Sequence, residues 1–357
     1  MNDDSQGGSH PTFLRSGGWI LLAALAMTGA VFAFHVATIL GSRSHAQGDG
    51  RHAASYGFDL AATAVPAQEI VASGMPKDGL PALVDPAVWT LADAGGASAK
   101  RSKFLVPSDR VIGISLGGSA RAYPLRLLVW HEIVNDTLDG RPIAITYNPL
   151  CDSAAVFDRA GSPPVVFGVS GLLYQSNLLM FDRRPGGKGE SLWSQLLFRP
   201  VAGPAVRGGS GLSPLACSVV TWADWRAAHP ATTVLAPDPR LGQQYKRDPY
   251  SSYFGSDLLR YPVRPLPPPE RGPWKTPVIA LSLDGVWHAF PYPALAERAD
   301  AGGRWSTNVG NIPLDFRIRR DHPQTVEVSS PGRSVPTVYA FLFAWTATHG
   351  QDTVWHP

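Results

Sequence analysis

The sequence predicts a β-rich α+β protein: two related antiparallel β units with a few short helices, behind an N-terminal transmembrane helix. Three observations carry this expectation. Short β-like runs, broken by Gly- and Pro-containing turns, dominate from residue 104 onward. The 357 residues include 36 Gly, 33 Pro and 11 Trp, and no long Ala/Glu/Lys/Leu stretch of the kind that builds helical bundles. One long apolar stretch without Asp, Glu, Lys or Arg lies near the N-terminus. Apolar residues make up 44% of the chain, enough for a sizeable core, while charged residues are only 17%, below the usual quarter or so. A net charge of +3 with no basic run gives no reason to expect nucleic acid as a partner.

Residues 1–18 read as a short polar tail. Residues 19–40, WILLAALAMTGAVFAFHVATIL, have His35 as their only strongly polar member. At about 1.5 Å per residue they are long enough to cross a bilayer, and Trp19 suits the interface. The reading is a signal-anchor of the inner or plasma membrane with the globular part outside the cytoplasm. The alternative is a secreted protein, cleaved after the small-x-small sequence Ser44-His45-Ala46. Arg15 precedes the span while Arg43 and Arg51 follow it; the export reading therefore rests on the tail's likeness to a signal n-region, not on the positive-inside count. Residues 41–65 are small and polar and read as a flexible linker. Residues 66–103 read as an irregular arm on the first unit.

The first β unit is placed at 66–262. VIGISL (111–116), Gly117-Gly118 and ARAYPL (120–125) form a hairpin pattern. WHEIVNDTL, Asp139-Gly140 and RPIAITYN form another, with a strong hairpin dipeptide. SAAVFD is expected to pair with VVFGVS across RAGSPP, and NLLMFD with SLWSQL across Pro185-Gly186-Gly187. A helix is expected over 221–229, with Thr221 as N-cap, Trp222 and Trp225 on one face, and Pro230 closing it. The Pro-rich run 263–274 reads as an extended connector. The second, shorter unit, 275–357, echoes the first. VIALSLDGVWHAFPYPAL (278–295) matches VIGISLGGSARAYPLRLL (111–128), and STNVGNIPLDFRI (306–318) matches NDTLDGRPIAITY (135–147). FLFAWTATHGQDTVW (341–355) matches TWADWRAAHPATTVL (221–235). Three echoes in one order suggest an internal duplication. The second unit has no counterpart to the Cys151 loop, so activity is expected in the first.

The stretches ARAYPLRLLVWHEIVNDTLDGRPIAITYNPLCDSAAVFDR, FGVSGLLYQSNLLMFDR, SLWSQL and TWADWRAAHPATTVL resemble a bacterial and archaeal family known as domain of unknown function 3179. The likeness covers roughly residues 104 to 355 and brings no established activity. Many members look like Y-C-P-L-C-G where this chain has Tyr147-Asn148-Pro149-Leu150-Cys151-Asp152. The dithiol that such a motif implies would suit disulfide exchange or metal binding. Here Asn148 stands at the first cysteine position, so the local pair cannot form.

The candidate chemistry centres on His131, Glu132 and Cys151. A hairpin turning at Asp139-Gly140 would bring its two ends together, and with them His131 and Cys151. His131 would serve as base or ligand, with Glu132 orienting it or giving an oxygen. Such a set suits zinc or copper, possible cofactors here. A lone Cys is also commonly a small buried side chain, and Asp152 beside it would raise the thiol pKa. Asp136 joins His131 as a candidate acid–base residue, or starts a turn. Arg121 and Tyr123 are candidates for an anionic ligand near His131. Asn148, Asp152, Trp193 and Gln195 complete the ligand-binding set, and the Gly/Ser-rich GVSGLLYQSN (168–177) is a candidate ligand loop. Ser194 lacks a nucleophile elbow. Cys151 and Cys217 would form a bridge only if their Cα atoms lie close. The function expected is a small-ligand or metal site with a redox link; the alternative is a non-enzymatic scaffold or assembly factor for a membrane partner.

Overall fold

The computed structural model describes residues 27, 47–96, 104–161, 163–268, 270, 272–322 and 325–355, in two units, Met1–Ala46 and Gln47–Pro357. The expected span at 19–40 lies outside the described residues apart from Met27. Among the described residues no helix is long and apolar enough to cross a membrane.

Three sheets form among the described residues of the second unit, and its helices are short. The smallest sheet joins β1 (Ile70–Ala72), β9 (Phe167–Tyr174), β10 (Asn177–Asp182), β11 (Leu192–Ser194) and β12 (Arg199–Ala202) in the order β1-β9-β10-β11-β12. The central sheet contains β2 (Leu83–Val84), β6 (Ile133–Leu138), β7 (Arg141–Asn148), β8 (Ser153–Asp158), β16 (Pro277–Leu283), β17 (Val286–Pro291) and β21 (Thr337–Phe341). Its order is β17-β16-β21-β8-β7-β6-β2, with β13 (Ser213–Pro214) beside β8. The third sheet holds β3 (Val88–Trp89), β4 (Arg110–Leu116), β5 (Ser119–Pro124), β14 (Ser218–Thr221), β15 (Thr233–Leu235), β18 (Arg304–Val309), β19 (Ile312–Ile318) and β20 (Val326–Ser329), ordered β18-β19-β20-β14-β4-β5-β15-β3.

Side chains alternate across a strand, and that period explains how the sheets stack. On β7, Ile143, Ile145 and Tyr147 join a core shared with Ile112, Tyr123, Leu314 and Phe316 of the third sheet. The intervening Ala144 belongs instead to a core shared with Phe167, Val169, Leu178 and Met180 of the small sheet. The central sheet is therefore covered on both faces, and its strands read as continuous apolar runs. Beyond the small sheet, Tyr56, Phe58 and Val65 close a further core. Beyond the third sheet, the helix Trp222–Ala228 does the same with Trp222 and Trp225. Its N-cap is Thr221, whose hydroxyl accepts from the Asp224 N–H.

The two largest sheets share one plan. Each carries a hairpin (β16/β17 or β4/β5) followed by a single strand (β21 or β14) that leads into a Trp-bearing helix, then a three-strand meander (β8-β7-β6 or β20-β19-β18). Each sheet takes its hairpin and single strand from one half of the chain and its meander from the other. The stretches 66–262 and 275–357 thus share both sheets instead of folding side by side. The helices match in detail. Trp225 lies 3.9 Å from the His229 ring and Trp345 3.9 Å from the His349 ring. Each indole N–H donates to a threonine hydroxyl at 2.9 Å, Thr232 in one and Thr353 in the other.

The β4/β5, β6/β7 and β10/β11 pairings follow the sequence expectation. The pairing of SAAVFD with VVFGVS does not occur: β8 pairs with β7, β21 and β13, while β9 pairs with β1 and β10. The reason is burial, because β8 fills the middle of the central sheet while β9 lies in the sheet above it. Residues 47–65, expected as linker, pack instead, with Tyr56 fully buried and its hydroxyl donating to the Met75 carbonyl at 2.5 Å.

Candidate functional site

The helix Leu125–Leu128 ends in a turn that delivers His131 and Glu132 to β6. Adjacent side chains there diverge. The His131 Nδ1–H donates to the Pro81 carbonyl at 2.8 Å, since a carbonyl can only accept, and this leaves Nε2 to accept from the Tyr245 hydroxyl at 2.7 Å. Burial, opposed by the Pro81 hydrogen bond and by Asp238, keeps the His131 pKa below its ordinary value. Both nitrogens of this neutral ring are thus engaged, one by Pro81 and one by Tyr245, and neither is left for a partnership with Cys151.

Glu132 occupies the left-handed region, φ +54°, which costs a non-glycine residue about 1 kcal/mol or more. Its carbonyl accepts from the Tyr147 N–H, which locks the turn onto β7. Its carboxyl is 7% exposed and accepts from the Asn148 amide at 3.3 Å. Among the described residues no cation pairs with it. Burial pushes its pKa up to about 7, and the Asn148 amide opposes this only in part.

The loop between β7 and β8 holds Cys151. Its N–H donates to the Asn148 side-chain carbonyl at 3.3 Å and its thiol donates to the Ser176 carbonyl at 3.2 Å. The sulfur is fully buried. Burial raises its pKa far above the ordinary thiol value, the Asp152 and Glu132 charges add to this, and Asn177 opposes it. The side chain is therefore a protonated, packed thiol at neutral pH and not a poised nucleophile. Cys217 is likewise free and buried, its pKa pushed up to about 12 by burial. Asp152 forms a two-pronged pair with Arg110, both contacts at 2.8 Å, and accepts from the Tyr147 hydroxyl at 2.7 Å.

Asp136 sits on the opposite face of β6, between the central and third sheets. It accepts from Tyr123 at 2.7 Å and Arg121 at 2.6 Å. The anion that Arg121 and Tyr123 were expected to bind near His131 is thus the chain's own carboxylate. Gln195 and Trp193 point into the gap between the small and central sheets. The Gln195 amide donates to Thr146 at 2.8 Å, and its carbonyl accepts from Ser153 at 2.6 Å and Asn177 at 2.9 Å. Within this buried layer Ser176 Oγ, Asn177 Oδ1 and Trp193 Nε1 have no hydrogen-bond partner among the described residues.

A cavity of about 80 Å³ opens on this region, lined by Glu132, Leu150, Leu178, Tyr250, Arg260 and Tyr261 among others. One wall is β9, where Gly171 has φ +77° and an added Cβ would come within 2.5 Å of the Met75 carbonyl oxygen, so only glycine fits. The other wall is the strap 248–264. Tyr253 donates to the Leu150 carbonyl at 2.7 Å, Tyr261 to the Ser73 carbonyl at 2.8 Å, and the Arg264 N–H to Gln175 at 2.7 Å. Arg260 lies over Tyr250 and Tyr253, 5.2 and 5.0 Å from the ring centres. Tyr250, Arg260 and Tyr261 were not singled out from the sequence, because they lie in a stretch without periodicity; only its density of aromatic residues sets it apart.

The structure thus joins Glu132, Asn148 and Cys151 on one side of the central sheet, with Trp193 and Gln195 in the same interlayer. It places His131 against Tyr245, pairs Asp136 with Arg121 and the Tyr123 hydroxyl, and pairs Asp152 with Arg110. Among the described residues no group of three or more His, Cys, Asp or Glu side chains could hold a metal ion.

A β-rich body with these loops defines a family before it defines an activity. Residues 77–341 match the family described as protein of unknown function (DUF3179), and the chain belongs to it. No curated protein matches the chain, and no solved structure does.

Proposed function

We propose that the protein binds a small polar molecule in the cavity beside Glu132, and that Glu132 is the group that exchanges a proton with it. The observation behind this reading is a carboxyl buried on a cavity wall without a cation, held in a left-handed conformation and titrating at about 7. Such groups concentrate at ligand-binding and acid–base sites. A carboxyl kept only for packing would have no reason to sit at a strained position facing a cavity. The hydrogen bond from Asn148 orients it, and the Cys151 loop behind Asn148 fixes that amide. The first reading of the metal, zinc or copper on His131, Glu132 and Cys151, has less support, since the imidazole is spent on Pro81 and Tyr245.

The test is ligand-observed NMR on the full-length chain against a library of small polar fragments, at about pH 5.5 and about pH 8.5, either side of the Glu132 midpoint. Compounds that bind the wild type, change affinity between the two conditions and fail to bind Glu132→Gln are the expected result. Binding that survives the substitution, or no binding at either pH, rules the reading out.

Two accompanying proposals concern the whole chain. The apolar run 19–40 supports a membrane-anchored, extracytoplasmic body; recovery of the full-length chain in the soluble fraction of its host would count against it. The matched sheet plans and the matched Trp–His–Thr arrangements support an internal duplication with exchanged strands. The scaffold alternative rests on less, because the most exposed large apolar side chains among the described residues from 47 onward, Val84, Leu258 and Val286, belong to three separate segments.

A further inference from the structure

We infer that the ligand of the Glu132 cavity is a short zwitterion of the size and charge of a small amino acid, its ammonium on Glu132 and its carboxylate on Arg260. This deepens the reading above and rests on it. The cavity carries one acidic and one basic side chain, at different depths: Glu132 is 7% exposed, whereas Arg260 is an exposed residue. Neither has an ion-pair partner among the described residues. Opposite charges that line one cavity without neutralising each other suit a molecule that carries both charges itself. A simple anion would leave the Glu132 carboxylate buried and unpaired, and a simple cation would face Arg260 at the mouth; each leaves a charge uncompensated.

The rest of the cavity fits the same class. The rings of Tyr250 and Tyr261 line it beside Glu132, and aromatic faces stabilise ammonium groups. Leu150 and Leu178 supply apolar surface for a methyl-sized substituent. At about 80 Å³ the cavity holds roughly five to eight water-sized groups at 10–15 Å³ each, which suits glycine or alanine and excludes a large side chain. The Arg260 guanidinium already rests against two rings, 5.2 Å from the centre of Tyr250 and 5.0 Å from that of Tyr253, so its fork is positioned before a carboxylate arrives.

The experiment is calorimetric titration of the full-length chain with glycine and L-alanine, beside acetate and methylamine as the separate halves, at about pH 8.5, where Glu132 is ionised. The zwitterions are expected to bind at least tenfold more tightly than either half. Arg260→Gln, a change at an exposed position, is expected to weaken them at least tenfold and to strengthen methylamine binding, whose ammonium no longer meets a cation at the mouth, while Glu132→Gln weakens both. If acetate or methylamine binds as tightly as glycine, the zwitterion assignment falls while Glu132-dependent binding keeps the site itself. If glycine and alanine do not bind at millimolar concentration, the assignment falls outright, whatever the fragment library shows.

Discussion

Glu132 is the residue on which the proposed proton exchange depends. Its carboxyl titrates at about 7 instead of 4.5 because burial penalises the charged form. A raised carboxyl pKa in the fold means that stability is fully present below the unfolded value and is lost as pH rises through the folded one. The wild type should therefore weaken between about pH 4.5 and pH 7, by up to about 3 kcal/mol in the high-pH limit. Glu132→Gln should remove that loss, matching the wild type near pH 4.5 and exceeding it above pH 7 in urea midpoints. Equal midpoints at both ends would mean that the carboxyl is not buried in its ionised state. The neighbouring His131 shows what the sequence could not convey. Both residues were visible as a His-Glu pair next to a hairpin, but one turn sends the imidazole to Pro81 and Tyr245 and the carboxyl to the cavity. Which way a side chain leaves a left-handed turn depends on the backbone there, and no spacing rule encodes it.

At the level of elements, the hairpins expected at Gly117-Gly118, Asp139-Gly140 and Pro185-Gly186-Gly187 form, whereas the one expected across RAGSPP does not. Asp139-Gly140 turns β6 into β7 with φ of +51° and +74°, the backbone that the dipeptide favours. Thr221 caps its helix as its hydroxyl implies. The partner of β8 was misread because an apolar run carries no address: SAAVFD suits any buried strand position, and the position it takes depends on β21, which lies nearly two hundred residues away in the chain. The site was legible in the same partial way. Asn148, Cys151, Trp193 and Gln195 were visible as unusual residues in turn-rich stretches, whereas the Tyr250–Tyr261 wall depends on where a strap without secondary-structure signals comes to rest. The paired helices allow a direct test of their equivalence. Thr232→Val and Thr353→Val each strand one buried indole N–H, and each should lower stability by about 1–3 kcal/mol. A loss at one position with none at the other would show that the two Trp–His–Thr arrangements are alike only in outline.

For the molecule as a whole, the exchange of strands between halves sets the limits of what can be cut away. β16, β17 and β21 complete the central sheet beside β8, and the Phe341 N–H donates to the Cys151 carbonyl at 2.7 Å. A chain ending at residue 274 should consequently show no cooperative melting transition by calorimetry and should be digested rapidly by protease. A sharp transition in that fragment would mean that the first half folds alone. One wall of the cavity, for its part, is made of the strap that links the two halves, so the proposed ligand site and the junction between halves share one piece of chain.

The contact between Phe341 and the Cys151 loop also has a consequence for biosynthesis. The loop that steadies Asn148, and through it Glu132, gains this support only from a strand made about 190 residues after it. A nascent chain that stops short of β21 leaves the edge of β8 without its final neighbour, so the proposed binding site matures only once that late strand has emerged.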